Sequence, residues 1–539
     1  MRASKHERRA ARQCLPKLIG GVLCGAMGTL HAQTFQEAAS SPTRYAEGRI
    51  EPALACADLA KLDLPEVVRI TARSIPASGN VPAHCRVDGT IDPEITFQVN
   101  LPQPWNGRFY MVGNGGHAGQ QPDDPSQTPN RDQALTRHFV MAATDTGHDT
   151  AKEPGGSFVM SNPQKAIDYA YRAVHRTAVT AKAIAHRYYG KPVTHAYWNS
   201  CSNGGRQGLL EAQRYPEDFD GIVANAPWVD QTGFTIGALW NQRALDGVSL
   251  SAGKLALLAE RIMTKCDAVD GLRDGLIDDP RQCKMTVARD VPSCPAGVDD
   301  DSCLTTAQAA AIQKIYDGPR DRQGRQLFPG FMPGSEALVR GADGTVASTW
   351  MNLIVPGAPD RKPADFGLAE ATMRYLVPLT PQPDWDYRTF DFDRDLEMLD
   401  RWSRVADATD INLREFRARG GKLMITYGWA DQILQPLMGV HYYEQAVTAN
   451  GPHGEDFLRL FMVPGMTHCA GGVGPDQIDP VTAIIDWVET GKAPDRIIAR
   501  KLTDGAVARS RPLCPYPQVA RHQGQGSSDA AENFVCVMP

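Results

Sequence analysis

The sequence predicts an α/β fold, in which a mostly parallel sheet carries helices on both faces and one large segment is inserted. Short apolar runs alternate with amphipathic stretches in the first half of the chain, and this alternation is typical of consecutive β-α units. It stops at Pro227 and resumes near Leu413. We therefore expect a core built from residues 33–227 and 412–539, with an inserted domain at 228–411.

The individual segments follow from their apolar periodicity. Apolar or alternating runs predict strands at 95–101, 108–112, 138–143, 195–199, 221–226, 422–427 and 457–463. Helical patterns cover 162–189, 205–215, 255–264, 305–316 and 413–419. Residues 33–90 are rich in Pro and Ala, and we expect them to be irregular, with Cys56 and Cys85 closing a loop.

Residues 1–32 have the pattern of a secretory signal peptide. Six basic residues and one acid occupy positions 1–17, and an apolar run of 13 residues, 18–30, precedes Ala32. A run of this length is too short to cross a bilayer, so we expect export and no membrane span. Without this segment the formal net charge falls from −6 to about −11, which disfavours nucleic acid and anionic membranes as partners.

The cysteines also indicate an oxidising compartment. Ten of the twelve lie outside the predicted signal peptide, and an even number in an exported chain favours disulfides. Neighbours in sequence suggest the pairs Cys56–Cys85, Cys266–Cys283, Cys294–Cys303 and Cys514–Cys536, which leaves Cys201 and Cys469 for each other. The alternative, a zinc site, needs C-x-x-C or His/Cys clusters, and the sequence contains none. We expect a secreted or periplasmic protein.

A serine follows the predicted strand at 195–199, at the start of a helix. The run Ser200-Cys-Ser-Asn-Gly204 resembles the G-x-S-x-G nucleophile elbow of α/β-hydrolases, in which small neighbours let a sharp turn expose the serine. Ser200 replaces the first glycine. The structural alternative is a glycine-rich turn that packs a helix onto a strand. The sequence favours Ser202 as a nucleophile.

Two later strands end in residues that can complete a catalytic triad. Asp431 follows the strand at 422–427, and His468 follows the strand at 457–463. The order Ser, acid, His at strand ends is that of α/β-hydrolases, although a loop-capping acid and a buried turn histidine remain alternatives. An earlier pair, Asp145 and His148, also follows a strand, and we expect it to be structural.

The cysteines beside two of these residues agree with the triad. Cys201 precedes Ser202, and Cys469 follows His468. A disulfide between them requires Cα atoms within about 7 Å of each other. A working Ser-His contact produces the same proximity.

A glycine cluster follows the strand at 108–112. It reads Gly113-Asn-Gly-Gly-His-Ala-Gly119, and in hydrolases the corresponding loop supplies part of an oxyanion hole. A phosphate-binding loop or a plain turn is the alternative. The phosphate alternative lacks the G-x-x-x-x-G-K-[ST] and G-x-G-x-x-G spacings.

These motifs together resemble the tannase and feruloyl esterase family. The resemblance is carried by the glycine loop and by Cys201-Ser-Asn-Gly-Gly-Arg-Gln-Gly208, Tyr427-Gly-Trp-Ala-Asp431 and Gly465-Met-Thr-His-Cys469. It implies an α/β-hydrolase fold with an inserted lid, and Ser202, His468 and Asp431 as nucleophile, base and orienting acid. It also implies an oxyanion hole built from the backbone N–H of Asn203 and of Gly115 or Gly116.

The inserted segment contains an acidic stretch from Cys266 to Asp278. Its acids and glycines suit a hard cation, although the spacing is not that of an EF-hand and a solvated acidic turn is the alternative. The family resemblance implies a structural calcium site. Its ligands would be the side chains of Asp267, Asp270 and Asp274 and the carbonyl oxygens of Leu272 and Leu276.

The expected function is a secreted serine esterase that cleaves esters of aromatic acids of the feruloyl, galloyl or terephthaloyl type, without an organic cofactor. Several aromatic residues of the insertion are candidates to stack on such rings, and most of them are expected in the core: Trp350, Trp385, Tyr387, Phe390, Phe392 and Trp402. Arg388 is a candidate to pair with a substrate carboxylate if it faces inward. Two alternatives remain, a catalytically inert secreted binding protein of the same fold and a hydrolase that depends on the cation of the insertion.

Overall fold

The structure is a computed structural model that describes residues 35, 37–45, 47–341, 343–358 and 361–539. The predicted signal peptide at 1–32 lies outside the described residues. No helix of the described part is long and apolar enough to span a bilayer.

Strands and helices alternate along much of the chain. The strands are β1 (Val67–Ile75), β2 (His84–Ile91), β3 (Ile95–Pro102), β4 (Arg108–Met111), β5 (Val140–Thr144), β6 (His195–Cys201), β7 (Gly221–Asn225), β8 (Leu338–Arg340), β9 (Val346–Ser348), β10 (Lys422–Gly428), β11 (Leu458–Val463), β12 (Ile497–Thr503), β13 (Ala506–Leu513), β14 (Val519–His522) and β15 (Phe534–Val537). The α-helices are α1 (Thr128–Thr136), α2 (Gln164–Ile167), α3 (Ala173–Tyr189), α4 (Asn203–Arg214), α5 (Gln231–Ala244), α6 (Ala252–Cys266), α7 (Val287–Asp290), α8 (Thr306–Asp317), α9 (Ala364–Ala371), α10 (Asp400–Ala406), α11 (Arg414–Ala418), α12 (Pro436–Ala449) and α13 (Pro480–Thr490).

Nine strands form the main sheet, in the order β1-β2-β3-β5-β4-β6-β7-β10-β11. The six strands from β5 to β11 in this order are parallel, and β1, β2 and β3 add an antiparallel edge. The predicted α/β fold is confirmed. Strands β4, β5 and β7 are almost entirely buried, because a parallel strand is covered on both faces.

Successive residues of the central strands point into different apolar cores. Phe109 and Trp198 lie in one core, whereas their neighbours Tyr110 and Tyr197 lie in a second core. This alternation follows from the period of two residues in a strand. The sheet is therefore packed on both faces.

The segment between β7 and β10 has an apolar cluster of its own. Leu255 and Leu258 of α6, Ile312 of α8 and Trp350 are fully buried together there. The helices predicted at 255–264 and 305–316 are α6 and α8, and the cap of α8 is a reciprocal pair of hydrogen bonds between Thr305 and Gln308. This segment thus packs around its own interior, while other residues of it, such as Phe366 and Trp402, belong to the same core as Phe109 and Trp198.

The long helix predicted at 162–189 is present as α2 and α3, joined by a π-helical turn at Asp168–Arg172. Gly190 ends it with φ 66°, a left-handed conformation that glycine adopts without steric cost. The next strand, β6, begins five residues later.

The prediction that residues 33–90 are irregular was wrong. Strands β1 and β2 occupy part of this region and pair antiparallel, with Val67 opposite Ile91. Strand β1 is one of the two edge strands of the sheet, and its Arg69 and Arg73 are exposed; charged side chains are common on such edges. Its apolar residues do not alternate regularly with polar ones, because Val67 and Val68 are adjacent and Arg73 and Ser74 separate Ala72 from Ile75.

Five disulfides join Cys56 to Cys85, Cys201 to Cys469, Cys266 to Cys283, Cys294 to Cys303 and Cys514 to Cys536. These are the pairs expected from the sequence. Four of them link residues fewer than 30 positions apart, whereas Cys201 and Cys469 are 268 positions apart. The long-range disulfide therefore connects distant parts of the chain.

Candidate active site

Ser202 lies in the sharp turn between β6 and α4. Its φ is 64° and its ψ is −125°, a strained conformation for a residue with a Cβ atom. The turn needs small neighbours, because a Cβ atom on Gly204 would lie 1.9 Å from Oγ of Ser200, and one on Gly205 would lie 2.8 Å from the carbonyl oxygen of Asn225. Ser200 stands where a nucleophile elbow has its first glycine, and its hydroxyl leaves room only for glycine at position 204.

Asp431 and His468 form a hydrogen-bonded pair beyond the ends of β10 and β11. Nδ1 of His468 lies 2.8 Å from Oδ2 of Asp431, whose side chain is fully buried. The other oxygen of Asp431 accepts hydrogen bonds from the backbone N–H groups of Ile433 and Leu434, at 2.9 and 2.8 Å. An ionised carboxylate only accepts, so this arrangement assigns a proton to Nδ1 and leaves Nε2 of a neutral ring as a base.

The two loops that carry this pair pack closely on each other. A Cβ atom on Gly428 would lie 2.2 Å from the carbonyl oxygen of Met466, so only glycine fits there. The same carbonyl accepts a hydrogen bond from the N–H of Ala430 at 3.1 Å. The N–H of His468 donates to Oε1 of Gln432 at 3.0 Å. These contacts fix the histidine loop against the aspartate loop.

The disulfide between Cys201 and Cys469 joins the turn of Ser202 to the loop of His468. The two Cα atoms are 5.9 Å apart, and both sulfur atoms lie within 4.8 Å of a ring nitrogen of His468. The structure therefore brings the three residues predicted as a triad to one end of the sheet, where the parallel strands terminate.

The glycine loop after β4 lies against the start of α4. A Cβ atom on Gly204 would lie 3.4 Å from the backbone nitrogen of Asn114, and a Cβ atom on Gly115 would meet nothing within 4 Å. Nδ2 of Asn203 donates to the carbonyl oxygen of Asn114 at 3.1 Å. The predicted oxyanion donors, the backbone N–H groups of Asn203, Gly115 and Gly116, thus belong to adjacent segments.

Sequence reasoning missed a buried polar network beneath this turn. Its central residue is Tyr169, in the π-helical turn, whose hydroxyl lies 3.3 Å from both the carbonyl oxygen of Gly116 and Oδ1 of Asn203. Nε of Arg206 donates to the same Oδ1 at 2.7 Å. Arg206 lies within the motif that carries the family resemblance, but neither spacing nor periodicity marks Tyr169.

The side chains of the alternative pair, Asp145 and His148, are not hydrogen-bonded to each other. Oδ1 of Asp145 accepts from the N–H groups of Thr96 and Gly147, at 2.9 and 2.8 Å, and burial raises the pKa of Asp145 to about 7. The ring of His148 packs on Phe158 with centroids 4.1 Å apart, and burial lowers its pKa to about 4. The two side chains therefore contact different groups, and both ring nitrogens of His148 are buried without a hydrogen-bond partner among the described residues.

The acidic stretch of the insertion folds into a loop held by its own carboxylates. Oδ1 of Asp267 accepts from the N–H groups of Asp274 and Gly275, at 3.1 and 2.9 Å. Oδ1 of Asp270 accepts from the N–H of Leu272 at 2.9 Å, and Oδ1 of Asp274 accepts from the N–H of Leu276 at 3.2 Å. The predicted ligand residues therefore form one compact acidic loop.

Strand β13 supplies a counter-charge to this loop. Nη2 of the fully buried Arg511 lies 2.5 Å from Oδ2 of Asp274. Asp278 is also nearby, with Oδ2 at 3.9 Å from Nη1 of Arg511. Its Oδ1 is buried without a hydrogen-bond partner among the described residues. One guanidinium thus faces several carboxylates.

A second group of potential ligand atoms lies between α3 and α4. Atoms of His175, Glu211 and Asp218 lie within 4.8 Å of one another, with Nδ1 of His175 at 2.6 Å from Oδ2 of Asp218. The ammonium group of Lys182 lies 3.7 Å from the other oxygen of Asp218. This cluster contains atoms that could coordinate a cation, but the ammonium group of Lys182 already balances part of its negative charge.

The aromatic residues proposed as stacking candidates are mostly core residues. Trp350 and Trp402 are fully buried, and Phe390 is nearly so. Nε1 of Trp402 donates to Oε1 of Gln231 at 2.7 Å. The Arg388 side chain is 64% exposed and lies 3.4 Å from Asp386, so in this conformation it faces solvent.

Comparison with known proteins adds independent information. The family described as tannase and feruloyl esterase matches residues 79–537. Mono(2-hydroxyethyl) terephthalate hydrolase of Piscinibacter sakaiensis is 32% identical over 530 residues, which cover 87% of each chain. Feruloyl esterase B of Aspergillus niger is 29% identical over 500 residues, 88% of this chain and 89% of that one. The crystal structure of feruloyl esterase B from Aspergillus oryzae has a TM-score of 0.75 at 27% identity and covers 89% of this chain and 99% of its own.

The sheet order, the strained turn at Ser202 and these similarities define an α/β-hydrolase that is a carboxylic ester hydrolase by class. Within this class, the chain belongs to the tannase and feruloyl esterase family.

Proposed function

We propose that the protein is a serine esterase that hydrolyses esters of aromatic acids, with Ser202 as nucleophile, His468 as base and Asp431 as the acid that orients the base. The observation that carries this proposal is the 2.8 Å bond between His468 and Asp431, held beside Ser202 by the disulfide of Cys201 and Cys469. A nucleophile, a base and an orienting acid are the three parts that covalent ester hydrolysis requires.

In the proposed reaction, Oγ of Ser202 attacks the ester carbonyl carbon while Nε2 of His468 takes the hydroxyl proton. The negative charge that develops on the carbonyl oxygen is stabilised by backbone N–H groups of Asn203 and of the glycine loop. His468 then gives its proton to the departing alcohol oxygen, and the acyl group remains on Ser202. A water molecule repeats the sequence, releasing the acid and restoring the serine hydroxyl.

The names of the relatives support an aromatic acyl group. They include feruloyl esterases and a mono(2-hydroxyethyl) terephthalate hydrolase, and the family is also that of tannases. We therefore propose feruloyl, galloyl or terephthaloyl esters as the substrate class.

We propose that residues 228–411 act as the lid over this site. Part of the segment already contacts the glycine loop, since Nε2 of His117 lies 2.9 Å from Oγ1 of Thr372. A Cβ atom on Gly116 would lie 3.8 Å from the side chain of Leu368 in α9. These contacts of Thr372 and Leu368 with the glycine loop support the proposed role of the segment as a lid.

The acidic loop at 267–278 is proposed to hold a structural calcium ion. Its donors fit a hard cation, because they are carboxylates and backbone carbonyl groups of a turn. Asp278 supports this assignment, since one of its oxygens is buried without a partner in the described part of the chain. The proposed ligands are Asp267, Asp270 and Asp274 with the carbonyl oxygens of Leu272 and Leu276, and the ion would supply positive charge that stabilises the loop rather than chemistry.

The protein is proposed to be secreted or periplasmic. Its five disulfides favour an oxidising compartment, because cytosolic thiols are kept reduced. The signal-peptide pattern at 1–32 supports the same conclusion.

The central experiment compares wild type with Ser202→Ala on p-nitrophenyl esters and on feruloyl, galloyl and terephthaloyl esters, scored by kcat/KM. We expect Ser202→Ala to lose at least about 10⁴-fold in kcat/KM. The control is Ser200→Ala, which removes a hydroxyl two residues away in the same turn and should retain activity.

Each rival function predicts a different result. An inert binding protein predicts that wild type and Ser202→Ala are equally inactive on every ester. A hydrolase that depends on the cation of the insertion predicts immediate loss of activity with a chelator and no inhibition by a serine-directed organophosphorus reagent.

A further inference from the structure

The two segments that carry the proposed oxyanion donors are joined by a buried side chain. The carboxamide of Asn203 donates through Nδ2 to the carbonyl oxygen of Asn114, at 3.1 Å. Its Oδ1 accepts from Nε of Arg206 at 2.7 Å, which assigns the oxygen and nitrogen of the amide without ambiguity, because a guanidinium only donates. The start of α4 is thereby tied to the glycine loop.

This bond also fixes a direction for one backbone N–H group. The carbonyl of Asn114 and the N–H of Gly115 belong to one planar, trans peptide group, so they point in opposite directions. With the carbonyl aimed at the buried carboxamide of Asn203, the N–H of Gly115 points away from that carboxamide. A Cβ atom on Gly115 would meet nothing within 4 Å, so there is open space beside the α-carbon of this residue.

Tyr169 joins the same two segments a second time. Its hydroxyl lies 3.3 Å from the carbonyl oxygen of Gly116 and 3.3 Å from Oδ1 of Asn203. Nε2 of Gln231 donates to this hydroxyl at 2.8 Å, and Oε1 of Gln231 accepts from Trp402 at 2.7 Å. The indole only donates, so the Gln231 amide must present its nitrogen to Tyr169.

The hydroxyl proton of Tyr169 can therefore be donated to either of two oxygens, one on each of the joined segments. The hydroxyl accepts from Gln231, and both of its remaining neighbours, the carbonyl of Gly116 and Oδ1 of Asn203, are acceptors. Tyr169 is fully buried, and this burial raises its pKa. The hydroxyl thus stays protonated and acts as a donor between the glycine loop and α4.

We propose that Tyr169 and the carboxamide of Asn203 form a clamp that aims the N–H of Gly115 at the ester carbonyl oxygen, which makes Gly115 rather than Gly116 the second oxyanion donor. The clamp rests on the proposed function, because it orients a donor of the same reaction. Tyr169 is a positioning residue: it acts through the peptide groups that it holds and touches no reacting atom.

The test is Tyr169→Phe, which removes the clamping hydroxyl and keeps the ring. Loss of a whole oxyanion donor costs about 10²–10³-fold in kcat, and a misdirected donor costs part of that. We expect kcat on a p-nitrophenyl ester to fall about 10-fold or more while KM changes less than about two-fold, since the oxyanion forms only after binding.

The matched control is Tyr189→Phe. The hydroxyl of Tyr189 is also buried and donates to the carbonyl oxygen of Pro102 at 2.6 Å, outside the clamp. This variant should lose similar thermal stability and keep kcat.

An aryl boronic acid provides a second readout, because its tetrahedral adduct on Ser202 carries negative charge. Its inhibition constant should rise in Tyr169→Phe by the same factor as kcat falls, with no change for the free aromatic acid.

Asn203→Asp is a second variant of the clamp, and it tests the proposal if Tyr169→Phe does not fold. It keeps the side-chain shape and the acceptor for Arg206 but replaces the donor to Asn114 by a carboxylate oxygen. A larger loss of kcat than in Tyr169→Phe is expected, again with KM little changed.

Two results overturn the clamp, and they are distinguishable. If wild type is active and Tyr169→Phe matches Tyr189→Phe in kcat and in boronic acid inhibition, the hydroxyl is only structural. If wild type is no more active than Ser202→Ala, the proposed function itself fails and the clamp fails with it.

Discussion

The end of the sheet and the acidic loop of the insertion both contain buried carboxylates, but different groups pair with these carboxylates at the two places. At the end of the sheet, Asp431 has His468 on one oxygen and two backbone N–H groups on the other. In the acidic loop, Arg511 is shared by Asp274 and Asp278, and one oxygen of Asp278 has no partner among the described residues.

This difference separates two kinds of site. A buried carboxylate is stable when hydrogen-bonded and costly when left alone. The pair at the end of the sheet is hydrogen-bonded entirely within the protein, so the proposed reaction there would need only a substrate. The acidic loop has more carboxylates than cationic side chains, and the proposed calcium ion would balance this excess. Changes at the first site should alter turnover, and changes at the second should alter stability.

The largest expected effect is that of Asp431→Asn on turnover. The amide removes the negative charge opposite the ring and favours the wrong histidine tautomer, which lowers kcat by about 10³–10⁴-fold when the geometry is retained. Steady-state kinetics on an aryl ester measures this loss, and the melting temperature checks folding. A kcat within ten-fold of wild type would show that Asp431 does not orient His468.

Removing the long-range disulfide should affect both turnover and stability. The double variant Cys201→Ser and Cys469→Ser is expected to lose about 2–5 kcal/mol of unfolding free energy and to lower kcat, because the histidine loop is no longer tied to the turn of Ser202. Denaturant unfolding and ester kinetics measure the two effects. The control removes Cys514 and Cys536, whose disulfide lies in the C-terminal hairpins. Loss of kcat in both variants alike would contradict a specific role for the first disulfide.

Calcium removal should affect stability alone. A ligand held at about 100 times its dissociation constant contributes about 2.7 kcal/mol to folding, so a chelator should lower the melting temperature by several degrees. Hydrolysis at temperatures well below melting should continue. Asp270→Asn should begin with a lower melting temperature and respond little to the chelator. An equal response in wild type and variant would place the cation elsewhere.

The smallest expected effect is that of Asp145→Asn, which tests the rejected catalytic pair. Burial raises the pKa of Asp145 to about 7, so the folded state holds a proton more tightly than the unfolded state, where the pKa is about 3.9. Its contribution to stability is therefore complete below about pH 4 and lost as pH rises toward 7. Asp145→Asn should stabilise the protein more at pH 8 than at pH 4 and keep kcat/KM within about two-fold. A large loss of activity would return Asp145 to the catalytic candidates.

The central strands were predictable because they are buried on both faces. The run predicted at 422–427 is β10 (Lys422–Gly428), and the run at 95–101 is β3 (Ile95–Pro102). Strand β1 was missed since an edge strand exposes charged residues such as Arg69 to water, which hides its periodicity. Strands β12 to β15 also gave no recognised pattern.

The part of the candidate site that could be predicted consists of residues whose position directly after a strand marks them in the sequence. Asp431 and His468 were found because each follows a strand, and the structure places them 2.8 Å apart. Tyr169 was not found, because it lies inside a helical segment and only the fold brings its hydroxyl to Asn203, 34 positions away. The unpartnered oxygen of Asp278 was equally hidden, since sequence does not reveal which polar atoms lack partners.

The disulfide between Cys201 and Cys469 turns the chain between them into a closed covalent loop. That loop contains the whole insertion, including the acidic loop and two shorter disulfides. A proteolytic cut anywhere within the insertion would therefore open the loop without releasing a fragment, and the turn of Ser202 would stay attached to the histidine loop. After one such cut, the two halves of the candidate site would remain parts of one molecule.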